Sequence, residues 1–173
     1  MSAAAAHAGE GAPMSPGTYL RKRREAAGLS VGDVARRLIA LPVAVRRVSP
    51  DEIGRLTARL GWIEGDRDYL TESQAALLTE VLPMDGEVYL QLTLLHAIGP
   101  DRIAWSGLPV PQVCRECACS WHDPCQPRTS GDRPCSWSAD PTLCTHCELA
   151  AVAVPVPQPS SIPARAQPAG IPA

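Results

Sequence analysis

Aromatic residues are scarce in this chain of 173 residues, and phenylalanine is absent altogether. Because aromatic side chains carry much of the volume of a typical core, this scarcity argues against one large, well-filled core. Small domains of this kind commonly need a bound metal or a partner for stability. We therefore expect one domain or two small ones, with some source of stability besides apolar burial.

The chain also lacks any apolar run long enough to span a membrane, so no membrane partner is predicted. Residues 1–13 lack the basic and apolar stretches of a secretory signal, which predicts a cytoplasmic protein. Seven cysteines are an odd number and fit a complete set of disulfides poorly. In a reducing compartment, clustered cysteines indicate metal or redox chemistry instead.

The common catalytic motifs are missing as well. There is no glycine-rich phosphate loop, no Gly-x-Ser-x-Gly and no His-Glu-x-x-His, and His122 is not followed by the glutamate of the His-x-Glu signature of the zinc deaminases. A thioredoxin-like Cys-x-x-Cys would need a strand–helix–strand context, which the sequence does not suggest. We expect that the protein is not an enzyme.

Five helix-start signals predict an all-α domain in the first half of the chain. The starts lie at Ser15-Pro16, Ser30, Ser49-Pro50, Thr71 and Asp85, and each precedes apolar residues at helical spacing. Glycine and proline end these helices. The predicted organisation is a disordered start (1–13), a helical domain (15–99), a linker (100–111), a zinc-binding module (112–149) and a disordered Pro/Ala-rich tail (150–173).

The charge is distributed unevenly along the helical domain. Residues 15–60 carry ten basic and four acidic side chains, which gives a net charge of +6. Residues 61–92 carry one basic and seven acidic side chains, which gives a net charge of −6. Such asymmetry indicates a basic face for an anionic partner such as nucleic acid. The alternative is that the arginines are simply solvated.

Several motifs of the helical domain resemble the lambda-repressor-like (Xre-type) helix-turn-helix family. They are Tyr19-Leu20-Arg21-x-x-Arg24-Glu25-x-x-Gly28-Leu29-Ser30, Val34-Ala35-x-x-Leu38, Ile63-Glu64-Gly65 and Leu77-Leu78 to Leu82. The resemblance implies a DNA-binding transcriptional regulator of bacterial or phage type, acting on double-stranded DNA. It covers less than half of the chain. About nine residues separate the second and third helices, where the family has a tight turn.

Four arginines are the predicted DNA-binding residues. Arg55 and Arg59 lie four residues apart on the third helix, where their guanidinium groups can reach bases or phosphates. Arg21 and Arg24 on the first helix are predicted phosphate contacts, which position a protein without reading sequence. The alternative function is a protein-interaction adaptor that does not bind DNA.

Two Cys-x-x-Cys pairs bracket the cysteine-rich segment and predict a zinc site. Each pair can wrap around one side of a metal ion, so Cys114, Cys117, Cys144 and Cys147 supply four thiolates for a tetrahedron. A second site is predicted from Cys119, His122, Cys125 and Cys135, although a single site with spare cysteines fits the pattern too. An iron–sulfur cluster also takes four thiolates and remains the alternative metal group.

This segment is similar to a small cysteine module of predicted phage-associated proteins, of the form Cys-x-x-Cys-x-Cys, Cys, Cys-x-Trp and Leu-Cys-x-x-Cys. All seven cysteines, Trp137 and Leu143 match that pattern. The resemblance implies a metal module, for which we expect a role as a surface for homodimerisation or a protein partner. Trp121 and Trp137 are expected to cover the metal site and exclude water.

Overall fold

The computed structural model describes residues 12–41, 49–125 and 134–152, and this part of the chain is mostly helical. Its helices are α1 (Pro16–Ala26), α2 (Val31–Ile39), α3 (Pro50–Glu64), α4 (Glu72–Thr79), α5 (Gly86–Ile98), α6 (Pro100–Ser106) and α7 (Thr145–Val152). Within these ranges there are no β-strands, only two isolated bridges beside the cysteines. None of the helices described is both long and apolar enough to cross a membrane.

The predicted helix starts are confirmed by their capping hydrogen bonds. The Ser15 hydroxyl accepts a hydrogen bond from the Thr18 backbone N–H, and Asp85 accepts from two N–H groups at the start of α5. Ser30 with Asp33, and Thr71 with Gln74, form reciprocal capping boxes. These bonds satisfy backbone donors that have no partner within the helix.

The first five helices share one core, in which two tyrosines supply most of the aromatic volume. Tyr19 and Tyr89 are fully buried and lie among leucines, valines and Ile63. The Tyr19 hydroxyl accepts a hydrogen bond from the Asp85 N–H at 2.9 Å, and the Tyr89 hydroxyl accepts one from the Leu70 N–H at 3.2 Å. Burial raises the pKa of Tyr19 well above its usual value. Tyrosine therefore supplies the aromatic volume that phenylalanine often provides in a core, and its hydroxyl also forms hydrogen bonds to other segments.

Two segments are more helical than we predicted. Pro100–Ser106, inside the predicted linker, forms α6, because a proline at the first helical position suits a helix start. At the other end, α7 continues to Val152 and includes the first residues of the predicted tail. The predicted disorder of residues 1–11 and 153–173, and the connection at 42–48 between α2 and α3, lie outside the described residues.

The start of α1 packs tightly against the end of α3. The Asp66 carboxylate accepts hydrogen bonds from the Gly17 N–H at 2.8 Å and from the Ser15 hydroxyl at 2.6 Å. A Cβ atom at position 17 would press against the backbone carbonyl oxygens of Ile63 and Glu64. Glycine is therefore required at this contact by the close approach of two backbones.

We expect Gly17→Ala to destabilise the helical domain by about 1 to 3 kcal/mol, because backbone atoms must move to admit the methyl group. Gly54→Ala is a matched control, since its Cβ would meet no atom within 4 Å. Alanine is a better helix former than glycine, so this control should be neutral or slightly stabilising. Urea denaturation of both variants measures the difference, and equal midpoints would contradict the predicted contact.

Candidate metal centre

Two tight turns carry the outer cysteine pairs. In the first, the Cys114 N–H donates to the Cys119 carbonyl at 2.9 Å and the Ala118 N–H donates to the Cys114 carbonyl at 2.8 Å. Ala118 has φ of 58°, an uncommon left-handed value for a residue with a side chain. The chain thus turns back on itself between Cys117 and Cys119, and both thiols are placed in one cluster.

The second turn ends in a helix. The Ser138 N–H donates to the Leu143 carbonyl at 3.1 Å, and α7 begins at Thr145. Cys147 therefore lies nearly one helical turn after Cys144. The Arg115 N–H donates to the Thr142 carbonyl at 2.9 Å and ties the two turns together.

The four predicted zinc ligands come together in this arrangement. The sulfur atoms of Cys114, Cys117, Cys144 and Cys147 all lie within 4.8 Å of one another. The Cys117 and Cys144 sulfurs are 3.8 Å apart. A tetrahedral ion with bonds of about 2.3 Å to sulfur separates its ligands by roughly the same distance, about 3.8 Å. The cluster is therefore able to hold one metal ion.

A second group of thiols overlaps the first. The sulfurs of Cys117, Cys119, Cys125 and Cys144 also lie within 4.8 Å of one another, and those of Cys117 and Cys125 are 3.2 Å apart. Cys135 lies at its edge, with its sulfur 3.6 Å from that of Cys119. It accepts a hydrogen bond from the Cys125 N–H at 3.0 Å. The predicted second set thus contributes Cys119 and Cys125 to the overlapping group, with Cys135 adjacent.

His122 and Trp121 are exposed and are not part of the cysteine cluster. His122 is exposed and belongs to neither thiol group. Trp121 is 73% exposed, so our expectation that it covers the site is wrong. Trp137 is half-buried and packs against the cysteine cluster, as expected. One indole, not two, therefore shields the sulfurs.

The pKa values of the cysteine thiols are shifted in opposite directions. Hydrogen bonding with Cys114 and Cys119 lowers the pKa of Cys117 to about 6, and hydrogen bonding with Cys117 and Cys119 lowers the pKa of Cys125 to about 5. Hydrogen bonding with Cys114 and Cys117 raises the pKa of Cys119, while burial raises those of Cys135 and Cys147. These shifts arise from hydrogen bonds between neighbouring thiols and from burial.

The cysteine cluster is largely shielded from solvent. The side chains of Cys114, Cys119 and Cys144 are almost completely buried, and the other four cysteines are half-buried. Four thiolates complete a tetrahedron and leave no position open for water. Such a centre suits a structural ion.

The cysteine module docks on α1 through contacts that the sequence did not suggest. The buried Arg23 guanidinium pairs with the Asp123 carboxylate, and its Nε donates to the Pro83 carbonyl at 2.8 Å. The Lys22 ammonium donates to the Glu116 carbonyl at 2.9 Å. Ala118 is fully buried within the core of the helical domain. The turn that presents Cys117 and Cys119 thus rests directly on the helices.

The four predicted DNA-binding arginines divide into two pairs. Arg21 and Arg55 are exposed and form no ion pair within the part of the chain that the structure describes. Arg24 donates to both carboxylate oxygens of Glu64, at 2.6 and 2.8 Å, and is only 12% exposed. Arg59 donates to Asp68 at 2.8 Å and to Gln74 at 3.2 Å. The second pair is committed to contacts within the fold.

These pairings also change the acid–base properties of the side chains. Hydrogen bonding with Glu64 raises the pKa of Arg24, and hydrogen bonding with Arg59 lowers the pKa of Asp68. Both effects favour the charged forms, so the ion pairs are present at neutral pH.

No family model, curated protein or solved structure matches this chain.

Proposed function

We propose that this protein is a DNA-binding transcriptional regulator of bacterial or phage type, with a cysteine module that folds around structural zinc. The observation that carries the zinc part is the compact set of sulfurs from Cys114, Cys117, Cys144 and Cys147. An iron–sulfur cluster places several irons and inorganic sulfides between its thiolates and holds them further apart. Sulfurs within 4.8 Å of one another suit a single tetrahedral ion better, and zinc is the usual occupant of a four-thiolate site.

The DNA-binding part is supported by how the helices bring the resembling motifs together. Arg24 of the first motif and Glu64 of the Ile63-Glu64-Gly65 motif form a two-bond ion pair between α1 and the end of α3. Helices α2 and α3 pack against each other next to this pair. A helical pair held on a rigid frame is the arrangement that a helix-turn-helix protein presents to the major groove.

The DNA surface that we propose uses Arg21 and Arg55. Both guanidinium groups are exposed and unpaired among the described residues, so they can contact phosphates without breaking an internal ion pair. Arg24 and Arg59 are excluded from this surface, because their donors are used by Glu64, Asp68 and Gln74. Arg46 and Arg47 of the basic segment lie outside the described residues.

We expect the zinc-loaded chain to bind random duplex DNA with an affinity that falls steeply as salt rises, since phosphate contacts release counterions. Arg21→Ala and Arg55→Ala should each weaken binding and reduce the slope of the log–log salt plot by about 1. Arg67→Ala is the matched control, because it removes an exposed arginine from the acidic segment. Fluorescence anisotropy at several salt concentrations measures all four proteins.

Two results would contradict this proposal. Absence of binding at low salt would rule out the DNA-binding function, and an equal effect of Arg67→Ala would show that only the net charge matters. The zinc part fails separately, if the purified chain holds no zinc and a chelator leaves its fold unchanged.

The second candidate is a protein-interaction adaptor, favoured by the two most exposed indoles of the described residues. Trp105 on α6 is 89% exposed and Trp121 is 73% exposed. Aromatic residues of this kind are enriched where proteins bind one another. Failure to bind DNA, together with loss of self-association or partner binding in Trp105→Ala, would favour this candidate.

A further inference from the structure

Two thiols belong to both compact groups of the cysteine module. Cys117 and Cys144 complete one group with Cys114 and Cys147, and the other with Cys119 and Cys125. From this overlap we infer that the module binds a pair of metal ions, with the thiolates of Cys117 and Cys144 bridging them. This inference deepens the proposed zinc function, on which it rests.

The number of ligands requires sharing. Two separate tetrahedral sites need eight ligands, whereas the chain has seven cysteines and all of them lie in the described residues. His122 cannot supply the eighth in this arrangement, because it is exposed and belongs to neither group. Two ions that are each held by four cysteine thiolates must therefore hold at least one thiolate in common.

The geometry identifies the shared pair. The sulfurs of Cys117 and Cys144 are 3.8 Å apart, about the edge of a tetrahedron formed by zinc and thiolates. The remaining four ligands form two sets. Cys114 and Cys147 come from the outer Cys-x-x-Cys pairs, and Cys119 and Cys125 come from the residues between those pairs. Two tetrahedra that share the Cys117–Cys144 edge thus account for both groups with six thiolates.

Charge also favours a second ion. Six clustered thiolates with one divalent cation would carry a net charge of −4, whereas two cations reduce it to −2. Cys119 and Cys144 are almost fully buried, where uncompensated negative charge is costly. A second ion therefore compensates more of the negative charge that six clustered thiolates would carry.

Cys135 is assigned to the surroundings of this pair. Its sulfur accepts the Cys125 N–H at 3.0 Å and lies 3.6 Å from the Cys119 sulfur, but it belongs to neither compact group. This position allows it to support the ligands Cys119 and Cys125. A residue next to the first ligands commonly orients them in this way.

Metal counting on the full chain tests the inference. The zinc-loaded protein should contain two zinc ions per chain by elemental analysis and by native mass spectrometry. After replacement with cadmium-113, two NMR signals should appear, each split by coupling to the other cadmium through the bridging sulfurs. One ion per chain, or two signals without mutual splitting, would overturn the bridged pair.

Variants then test the assignment of individual thiols. Cys125→Ser should retain one ion, held by the outer four cysteines, whereas Cys144→Ser should lose both. His122→Ala is the matched control and should retain two ions, because its imidazole is exposed and belongs to neither thiol group. Loss of an ion from this control would overturn the six-ligand assignment. A chain that binds no metal at all would contradict the proposed zinc function itself, whereas a single ion would contradict only the bridged pair.

Discussion

Removal of the proposed zinc is expected to unfold the cysteine module and to lower the melting temperature of the whole chain. The core of this module consists largely of the cysteines themselves, with Leu143 and Trp137 beside them. So small a core cannot offset the loss of chain entropy. Structural zinc contributes on the order of 10 kcal/mol or more in small peptides, and the module should depend on a contribution of that size.

The effect should spread to the helices because the two parts share side chains. Ala118, from the turn between Cys117 and Cys119, lies in the helical core, and Val113 packs against the same core. When the turn loses its metal, these groups leave the core and Arg23 loses its partner Asp123. We therefore expect one cooperative transition at a lower temperature.

Trp137 provides the signal for this experiment. Among the four tryptophans it is the half-buried one that packs on the cysteines, whereas Trp62, Trp105 and Trp121 are exposed. Adding a chelator should shift its emission to longer wavelength, and Trp137→Phe should abolish that shift. Acidification should release the metal in the same way, because protons compete with it for the thiolates.

The control for metal removal is His122→Ala. The imidazole is exposed and outside both thiol groups, so this variant should keep its metal and its melting temperature. Cys144→Ser should instead behave like the chelated chain. If the chelated chain and the wild type melted at the same temperature, the metal would have no part in stabilising the fold.

Arg23→Ala is expected to produce the second-largest loss, about 3 to 5 kcal/mol, because it leaves a half-buried carboxylate without its partner. Arg23 is 4% exposed, and its guanidinium contacts both Asp123 and the Pro83 carbonyl. Burial raises the pKa of Asp123, and the Arg23 charge opposes that rise. Without Arg23 the carboxylate becomes still harder to ionise.

A double-mutant cycle measures this contact. Arg23→Ala, Asp123→Asn and the double variant are compared by urea denaturation with metal present throughout. The coupling energy should clearly exceed that of an exposed pair, about 1 kcal/mol or less. Lys22→Ala is the matched control, since its ammonium donates an exposed hydrogen bond to the Glu116 carbonyl. Additive effects of Arg23→Ala and Asp123→Asn would show that the ion pair does not hold the module to α1.

Local features of the sequence predicted the helices well. Ser15, Ser30, Ser49, Thr71 and Asp85 start helices at the predicted places, because a side-chain oxygen satisfies backbone N–H groups only a few residues away. The outer cysteine pairs were also predictable. Their spacing alone places two thiols on one side of a tight turn.

Only the tertiary structure decided which charged side chains are held in internal ion pairs and which stay exposed. Arg21 and Arg24 look alike in the sequence, yet Glu64 engages Arg24 from 40 residues away and leaves Arg21 exposed. Asp123 likewise meets Arg23 across 100 residues of chain. No periodicity or motif reports such pairs, because they depend on how separate helices and turns pack.

The same limit applies to the cysteines. The sequence by itself determined that four thiols of the two Cys-x-x-Cys pairs can surround one ion. That Cys117 and Cys144 lie in two groups at once, and that His122 belongs to neither, was decided by the fold of the intervening turns. The spacing of cysteines in the sequence limits only how far apart thiols of the same turn can lie. The distance between the two Cys-x-x-Cys turns is set by the tertiary contacts that bring them together.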